Sequence, residues 1–421
     1  MASASIRRIV LEILEGLRQS ITAVIGWLFG FTLTRLIKRN PGLILIISRS
    51  GPAFIDNSKY FFVYASEYLK GDEKVCFITG DRSIQQQITS AGGLSVLHPS
   101  LRSIWLILRA GKIVTDWVLL STKIWASGAT IIQIWHGAPL KHIELDVYKK
   151  RLSGMPAWLR TMLEVQKKVI QRYPIYDIVV ATSTGFIAEA FQQCFNAKKF
   201  IASGYPRNDI LFGVPEPGSL AHRLFMINVD KQAIDAVSEA RDSGKRICLY
   251  VPTFRKDMAS PFDHEIDLEK FSAFAQRQNL LIVLKLHPFM HGLYKISQYS
   301  SLIEYTPLGD VYPLMALTDI LITDYSSIFF DFLLLDRPIL FFSYDLDHYL
   351  SQDREMYFDY DAMTPGVKCK NYDELELQLE AILKKGCKDG YAEMRMKIKS
   401  YAHDHADNQS SRRLICHYLK K

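Results

Sequence analysis

The sequence predicts an α/β protein made of two doubly wound domains that face each other across a cleft. Short apolar runs alternate with longer amphipathic stretches, which is typical of parallel sheets covered by helices. This pattern begins again near the middle of the chain, after a segment that contains Pro215 and Pro217. A length of 421 residues also exceeds what one hydrophobic core usually supports. Two consecutive domains are therefore expected.

Apolar runs in the first half predict strands covered on both faces, because such strands are apolar throughout. The amphipathic stretches Asn57–Lys70 and Ser83–Ala91 lie between them and predict helices. Strands that alternate with helices indicate a parallel sheet with right-handed crossovers. The predicted strands are Leu43–Ser48, Val75–Thr79, Ser95–Leu97, Ile113–Asp116, Ile131–Trp135, Ile178–Ala181 and Lys199–Ala202.

The second half repeats the pattern after a linker and a helix within residues 211–242. Its predicted strands are Arg246–Val251, Leu281–Leu286, Leu302–Tyr305, Ile320–Thr323 and Pro338–Phe342. We expect a helical segment over residues 1–40, a first domain over 41–210 and a second over 211–421. Doubly wound sheets bind their ligands outside the carboxyl ends of the strands. The residues that follow each strand are therefore the candidate site residues.

The N-terminal segment is predicted to be an amphipathic, hydrophobic helix that associates with a membrane. Residues 1–40 carry six basic and two acidic side chains, and sixteen uncharged residues separate Arg18 from Arg35. A full span needs roughly 17 apolar residues or more, and here serine, threonine and glycine dilute the run. We expect an interfacial or re-entrant helix, with a true span as the alternative. The segment lacks the features of a cleavable signal peptide.

The net charge of +7 is unevenly distributed along the chain. Residues 149–172 carry seven basic residues and one acidic residue, and the rest of the chain outside residues 1–40 has a net charge of −3. A nucleic-acid binder would spread basic and aromatic residues over a recognisable module, so no nucleic-acid partner is expected. The six cysteines are scattered without a paired spacing, which argues against a disulfide framework or a zinc site.

Residues 156–173 have the composition of a basic amphipathic helix. Apolar residues including Trp158 recur at helical spacing, with Arg160, Lys167, Lys168 and Arg172 among them. Such a helix suits an anionic membrane surface. The alternative is a helix that packs on its own domain.

Two histidines stand at the ends of predicted strands, one in each domain. His136 begins the turn Gly137-Ala138-Pro139-Leu140-Lys141, and His287 follows Lys285-Leu286 and precedes a proline. Histidine is the side chain best matched to proton transfer near neutral pH. A histidine satisfied by the backbone at a strand end is the alternative for His136.

A phosphate site is predicted after the strand Arg246–Val251, where Thr253 and Arg255 follow. The guanidinium group offers a rigid fork of donors that suits phosphate. The alternative is a solvated Arg255-Lys256 pair on a loop.

A second anion site is predicted at Ser326 and Ser327, where a helix begins after the strand Ile320–Thr323. The free N–H groups of a helix start attract anions. Asp331 lies one turn along, on the same face as Ser327. Ordinary capping by serine, with Asp331 at the surface, is the alternative.

The segment Gly204–Asp209 contains a turn and a cluster of polar side chains next to the expected domain boundary. Its residues Arg207, Asn208 and Asp209, together with Lys141, are candidates for acceptor binding. A structural hinge loop is the alternative.

Taken together, these segments resemble the CDP-glycerol glycerophosphotransferase family, bacterial enzymes that prime or polymerise teichoic acids and related capsular polymers. The resemblance covers about residues 130–410. The matching stretches are Trp135–Lys141, Gly204–Asp209, Pro252–Arg255, His287-Pro288, Thr323–Asp331, Asp336–Pro338, Tyr344–Tyr349, Tyr357–Tyr360 and Pro365-Gly366. Ala138 stands where threonine is more usual and Asp361 where glutamate is expected, which leaves the polyol open.

The resemblance implies a GT-B-like architecture of two Rossmann-like domains, with the acceptor on the first domain and the nucleotide donor on the second. It implies catalytic roles for His136 and His287. The implied or expected donor-binding residues are Thr253, Arg255, Lys285, Ser326, Ser327 and Asp331.

The expected reaction is transfer of glycerol phosphate, or a related polyol phosphate, from CDP-glycerol or CDP-ribitol to a lipid-linked glycan or polymer, with release of CMP. We expect a peripheral protein at the cytoplasmic face of the membrane. No cofactor or metal is expected, since the Asp345-Leu346-Asp347 and Asp359-Tyr360-Asp361 patterns arise often by chance. The alternatives are a GT-B glycosyltransferase that uses a nucleotide sugar and a catalytically silent scaffold.

Overall fold

The structure is a computed structural model that describes residues 14, 21, 34, 36–48, 54–117, 126, 128–170, 175–255, 261–352 and 355–419. Most of the expected N-terminal helical segment therefore lies outside the described residues, as do Arg172 and Lys256. Only the backbone of Lys167 and Lys168 is described. Within the described part of the chain, each helix is too short or too polar to cross a bilayer.

Seven described strands form the sheet of the first domain. They are β1 Asn40–Ile47, β2 Lys74–Thr79, β3 Ser95–Leu97, β4 Ala110–Thr115, β5 Thr130–Gln133, β6 Ile175–Ala181 and β7 Asn196–Ala202. All pair in parallel, in the order β3-β2-β1-β4-β5-β6-β7. The accompanying helices are α1 Asp56–Tyr68, α2 Arg82–Ser90, α3 Leu101–Arg109, α4 Glu144–Ser153, α5 Ala157–Ile170, α6 Thr184–Phe186 and α7 Gln192–Cys194, with a π-helix at Ile187–Phe191.

Six described strands form the sheet of the second domain, in the parallel order β10-β9-β8-β11-β12-β13. They are β8 Arg246–Val251, β9 Leu280–Leu284, β10 Leu302–Glu304, β11 Ile320–Thr323, β12 Ile339–Phe342 and β13 Val367–Cys369. The helices after β7 are α8 Leu220–Phe225, α9 Lys231–Asp242, α10 Pro261–His264, α11 Leu268–Arg277, α12 Tyr312–Leu317, α13 Ile328–Phe332, α14 Leu346–Gln352, α15 Tyr360–Met363, α16 Tyr372–Lys384, α17 Ala392–Ala402 and α18 Ser410–Leu414. Shorter turns are the 3₁₀ helices Pro206–Phe212, Pro288–Met290, Ile296–Gln298 and Leu333–Leu335 and the π-helix Ile415–Leu419.

Both sheets have a doubly wound strand order that reverses beside their first strand, as in Rossmann-like domains. The expected α/β, GT-B-like architecture is thereby confirmed. Every predicted strand corresponds to an observed one, while β13 was not predicted. The predicted strand Ile131–Trp135 ends earlier, at Gln133, because the backbone of Trp135 turns to a positive φ of 46°.

Buried polar contacts join the two domains. Lys59 on α1 donates to the Asp310 carboxylate at 2.7 Å, and both side chains are almost fully buried. Residues 140–142 pair with residues 355–357 through a short antiparallel bridge between Lys141 and Met356. These contacts place the turn that follows β5 directly against the second domain.

The chain returns to the first domain at its C-terminal end. The Asp404 N–H donates to the Thr182 carbonyl at 3.0 Å, and α18 lies beside residues 203–209. Helix α8 also contacts the first domain, since the Ala221 N–H donates to Glu67 on α1 at 3.2 Å. The expected boundaries at residues 40 and 210 stay a prediction.

Candidate functional site

The turn after β5 and the serine turn after β11 share one cavity. Its volume is about 370 Å³, and its walls include residues 135–141 of the first domain and Ser327 of the second. Gly137 allows this approach, because a Cβ atom there would lie 3.1 Å from the Ser327 Oγ. The structure thus brings His136 and Ser327, 191 positions apart in sequence, to the same space.

The protonation pattern of His136 follows from its backbone contact. Its Nδ1 lies 2.9 Å from the Asp116 carbonyl oxygen, which can only accept a hydrogen bond. In the neutral ring we therefore assign the proton to Nδ1, and Nε2 is the nitrogen that can accept one. A histidine that is hydrogen-bonded to the backbone can still act as a base. The contact of Nδ1 with the Asp116 carbonyl leaves the lone pair of the neutral ring on Nε2, the nitrogen that would take a proton.

The backbone just before His136 is strained and held by two amide side chains. Trp135 adopts a left-handed φ of 46°, which is rare for a bulky residue and common at functional sites. Gln133 Oε1 accepts the Trp135 N–H at 2.9 Å. Asn57 Nδ2 donates to the carbonyls of Ile134 at 3.1 Å and Trp135 at 2.9 Å. These contacts fix the direction in which the chain leaves the sheet.

Arg207 holds the next peptide unit and links it to the second domain. Its guanidinium donates to the His136 carbonyl at 2.7 Å, to Asp56 at 2.7 Å and to Asp331 at 2.6 Å. Tyr205 donates its hydroxyl to the Gly137 carbonyl at 3.1 Å. Both carbonyls that follow the strained residue are therefore fixed by buried side chains.

Asp331 is fully buried, so its expected alternative position at the surface is wrong. In addition to Arg207, its carboxylate accepts Asn208 Nδ2 at 3.0 Å and the Tyr312 hydroxyl at 2.7 Å. These contacts indicate a domain-joining role, since Asp331 faces the segment 205–208 of the first domain.

Asp209 caps the C-terminal helix α18. Its two carboxylate oxygens accept the backbone N–H groups of Ser410 and Ser411, each at 2.9 Å. Burial raises the pKa of Asp209 to about 6. These contacts of Asp209 are structural, which agrees with the alternative of a structural loop for Gly204–Asp209. Arg207 is not among the described residues that line the cavity.

Arg255 lies in a buried network rather than on the wall of the cavity with His136. It forms a bidentate pair with Asp345, with both distances 2.8 Å, and donates to Asp324 at 2.6 Å. Thr253 also donates to Asp324, through its N–H at 2.9 Å and its hydroxyl at 2.5 Å. Arg255 and Thr253 thus hold the residue that leads into the serine turn. The solvated-pair alternative is wrong for Arg255, which is only 6% exposed.

Ser327 is the N-cap of α13, as the sequence predicts for a helix that starts at Ser326 or Ser327. The Ser326 Oγ accepts the Ile328 N–H at 3.4 Å, whereas Ser327 makes no capping bond with its side chain. The Ser327 hydroxyl instead faces Gly137 across the cavity.

His287 lies in an aromatic cluster outside the described walls of that cavity. Its ring stacks on Phe254, with centroids 4.4 Å apart, and lies 5.0 Å from the Phe289 ring. Its Nδ1 accepts the Phe289 N–H at 3.4 Å. A neutral His287 would then carry its proton on Nε2, the opposite arrangement to His136.

The two lysines predicted at the site differ in their surroundings. Lys141 lines the cavity, and its Nζ donates to the Tyr349 hydroxyl at 2.6 Å. Lys285 donates to the carbonyls of Thr306, at 2.9 Å, and Pro307. Burial lowers the pKa of Lys285 to about 8.

The two aspartate patterns considered for metal binding have protein partners. Asp345 pairs with Arg255, and Asp359 caps α15 by accepting the Ala362 N–H at 2.8 Å. Among the described residues, three or more metal-binding side chains do not come together at any point.

Helices α4 and α5 form a hairpin with two different faces. Leu159 and Leu163 of α5 pack with Tyr148 and Leu152 of α4, so the alternative of packing on its own domain holds for one face. Trp158, 67% exposed, and Met162, 39% exposed, lie on one flank of the buried leucines, and the exposed Arg160 lies on the other flank.

Several residues that shape the site were not predicted. Asp116, Trp117 and Gln133 lie at strand ends, so the rule that ligands bind there could have identified them. Asn57 and Glu144 stand at helix starts. Nothing in the sequence shows that Asn57 contacts the turn after β5 or that Glu144 lines the cavity.

The chain is similar to known proteins over nearly its whole length. The pattern that defines the family described as CDP-Glycerol:Poly(glycerophosphate) glycerophosphotransferase matches residues 29–419. A teichoic acid poly(glycerol phosphate) polymerase of Bacillus spizizenii is 28% identical over 364 residues, which cover 84% of this chain and 86% of that protein. A teichoic acid glycerol-phosphate transferase of Staphylococcus aureus is 27% identical over 411 residues, covering 93% and 96%.

Solved structures show the same fold. The wall teichoic acid polymerase TagF superposes with a TM-score of 0.68 at 22% identity, covering 95% of this chain and 96% of that one. The family match extends over nearly the whole sequence, including both domains and the cavity between them. The chain belongs to the CDP-glycerol:poly(glycerophosphate) glycerophosphotransferase family of enzymes.

Proposed function

We propose that this protein transfers glycerol phosphate from CDP-glycerol to a hydroxyl group of a membrane-anchored glycan or polymer, in teichoic acid-type synthesis. The observation that carries the proposal is the shared cavity of His136 and Ser327. It combines a proton acceptor from one domain with a hydroxyl at a helix start from the other. The family match supports CDP-glycerol as the donor.

In the proposed reaction, His136 Nε2 takes the proton of the acceptor hydroxyl. The acceptor oxygen attacks the β-phosphorus of CDP-glycerol, and the bond from that phosphorus to the bridging oxygen breaks. CMP leaves with the bridging oxygen, and glycerol phosphate remains joined to the acceptor. Most of the barrier in such transfers lies in aligning the two reactants and in stabilising the charge on the phosphoryl oxygens.

The second domain would hold the diphosphate. Ser326 and Ser327 offer hydroxyls and helix-start N–H groups, and the proton-bearing Nε2 assigned to His287 can donate to a phosphate oxygen. Thr253 and Arg255 support this site by fixing Asp324. Asp331 supports the site through its buried contact with Arg207, and Lys285 through its contact with the Thr306 carbonyl.

We place the protein at the cytoplasmic face of the membrane as a peripheral enzyme. The exposed Trp158, Met162 and Arg160 side chains lie on the hairpin whose first helix, α4, also contributes Glu144 and Val147 to the cavity wall. A lipid-linked acceptor bound at this hairpin would have its reacting end beside His136. Residues 167, 168 and 172 add further basic charge to the sequence of this segment.

The test is a turnover assay with CDP-glycerol and a short synthetic acceptor, following CMP release and product mass. We expect His136→Ala and His287→Ala each to lower turnover at least about a hundredfold. A positioned general base, the role of His136, typically contributes about 10²–10⁴-fold, and a fixed hydrogen-bond donor to developing charge, the role of His287, contributes about 10²–10³-fold. His264→Ala, an exposed histidine on α10, is the matched control. Normal turnover in a folded His136→Ala protein would contradict the proposal, and release of UDP from a nucleotide sugar would favour the glycosyltransferase alternative.

A further inference from the structure

We propose that three buried side chains are positioning residues that hold the base His136 in its working orientation. They are Asn57, Arg207 and Tyr205. This inference rests on the function proposed above and adds to it the groups that align the base. The three are not among the described residues that line the cavity, and each acts through the backbone of the turn after β5.

The carbonyl groups of residues 134–137 all accept hydrogen bonds from these side chains. Asn57 Nδ2 donates to the first two, at 3.1 and 2.9 Å. Arg207 donates to the third, the carbonyl of His136, at 2.7 Å, and the Tyr205 hydroxyl donates to the fourth at 3.1 Å. The main chain is therefore fixed on both sides of the imidazole, and with it the direction in which the His136 side chain leaves the turn.

The turn depends on these contacts because its backbone is strained at Trp135. A φ of 46° is unfavourable for a bulky residue, and such a conformation persists only where the surrounding contacts over-determine it. Gln133 accepts the Trp135 N–H at 2.9 Å, while Asn57 binds the Trp135 carbonyl. That carbonyl belongs to the peptide plane that joins Trp135 to His136. Loss of the Asn57 amide would therefore free the plane from which the imidazole departs.

The three positioning residues form one buried unit. The Asn57 Oδ1 accepts the Arg207 N–H at 3.2 Å, so both the NH₂ group and the oxygen of the Asn57 amide are engaged. The Arg207 guanidinium lies 5.1 Å from the centre of the Tyr205 ring. Water does not compete for hydrogen bonds in such a buried place, so each bond holds its carbonyl firmly.

Arg207 also relates the base to the donor domain. Its guanidinium donates to Asp331 at 2.6 Å, and Asp331 lies on α13, the helix whose N-cap is Ser327. One side chain thus contacts both the turn that carries the base and the helix that begins at the proposed diphosphate site. A displacement of about 1 Å between reacting groups can lower the rate about a hundredfold. The unit should therefore affect kcat more than the binding of CDP-glycerol.

The test is Asn57→Asp, which keeps the shape of the side chain and the oxygen that accepts from Arg207 but removes the NH₂ donor. With CDP-glycerol and a short synthetic acceptor, we expect kcat to fall at least about tenfold and KM for CDP-glycerol to change less than about threefold. Asn371→Ala is the matched control, because it removes an asparagine that caps α16 in the second domain. It should leave kcat unchanged.

The same change in a His136→Ala background separates positioning from structural support. A residue that acts through the base loses its effect once the base is absent, so Asn57→Asp should lower the residual single-turnover rate less than about twofold. An equal loss in both backgrounds would overturn the inference, because Asn57 would then support only the fold or the donor site. Normal turnover of His136→Ala would instead contradict the proposed function itself.

Tyr205→Phe provides a second test, since it keeps the buried ring and removes only the hydroxyl that binds the Gly137 carbonyl. We expect kcat to fall at least about threefold in the otherwise wild-type protein and to stay unchanged in the His136→Ala background. Tyr372→Phe, on α16, should change neither. Unchanged kcat in Tyr205→Phe would overturn the inference, whether or not Asn57→Asp folds.

Discussion

At the scale of single residues, Arg207 connects groups that are distant in sequence. It joins Asp56 before α1, the His136 carbonyl after β5 and Asp331 on α13. Its side chain is 4% exposed, so its charge is compensated by the two carboxylates instead of by water. A buried pair of this kind is costly to break, because the partner charge stays in a poorly solvated place.

Replacing Arg207 with alanine should therefore destabilise the protein by about 3–5 kcal/mol, as expected for loss of one partner of a buried pair. Denaturant unfolding followed by fluorescence would measure this change. Lys198→Ala is the control, because Lys198 is 70% exposed where it pairs with Asp177, and such pairs contribute about 0–1 kcal/mol. A loss of less than 1 kcal/mol in Arg207→Ala would show that the carboxylates find other partners.

The sequence identified the residue types of the site better than their contacts. His136 and Ser327 were placed correctly at a strand end and a helix start, because the signals for the ends of strands and the starts of helices lie in the local sequence. The pairing of Arg207 with Asp331 could not be predicted, because the two residues lie 124 positions apart and meet only when the domains pack. Arg255 was expected to face a phosphate, and its contact with Asp345 depends in the same way on the tertiary fold.

At the scale of elements, the hairpin of α4 and α5 divides its side chains between a small core and an exposed face. Leu159 and Leu163 are buried, while Trp158 and Met162 are exposed. This division is compatible with both interpretations of the segment 156–173, since α5 packs on α4 while Trp158, Met162 and Arg160 stay exposed on its flanks.

We expect the protein to float with anionic vesicles, and the variants Trp158→Ala and Arg160→Glu to float less. A basic side chain near an anionic surface contributes roughly 1 kcal/mol, or about fivefold in partitioning. Trp105→Ala on α3 is the matched control, since it removes another exposed ring, 52% against 67% for Trp158, from a different element. Wild-type protein that does not bind the vesicles would contradict the membrane proposal. Unchanged binding of both variants would show that the hairpin of α4 and α5 is not the membrane-binding surface.

The strands were predicted well because buried parallel strands are continuous apolar runs. The strand β13, Val367–Cys369, was missed because the lysine at its centre interrupts an already short apolar run. The end of β5 was predicted two residues late, since Ile134 and Trp135 are apolar and nothing local reveals the left-handed turn. Hydrophobic pattern thus predicts which segments are strands, whereas the ends of short or strained ones depend on tertiary contacts.

At the scale of the whole molecule, the C-terminal helix α18 is attached to the first domain through Asp209. Burial raises the pKa of this carboxyl to about 6, from an ordinary 3.8. Between these values the folded protein keeps a proton that the unfolded chain has lost. The free energy of unfolding therefore decreases as the pH rises through this range.

We expect the contribution of Asp209 to the free energy of unfolding to fall by about 2 kcal/mol between about pH 4.5 and 7, relative to a variant without the carboxyl group. The measurement is the free energy of unfolding of wild type and Asp209→Asn across this range. The wild type should lose stability relative to the variant as the pH rises. Parallel curves would show that the pKa of Asp209 is close to its ordinary value.

The architecture of two domains was predictable, because the alternating pattern occurs twice. The return of the chain was not, since residues 403–419 carry no signal for helix α1 and the segment 203–209, against which they pack. The same holds for the buried pair of Lys59 and Asp310, which lies between the domains.

The path of the polypeptide has a mechanical consequence. It passes from the first domain to the second near Asn228, whose side chain donates to the carbonyls of Phe54 and Leu308. It passes back near His403, which contacts the Phe330 carbonyl just before Asp404 reaches Thr182. Two bodies tethered at two separate points can swing only about the line that joins those points. Any opening that admits a nucleotide would therefore be a one-axis rotation. The second half is one uninterrupted length of polypeptide between these two crossings, whereas the first half is made of two separate lengths.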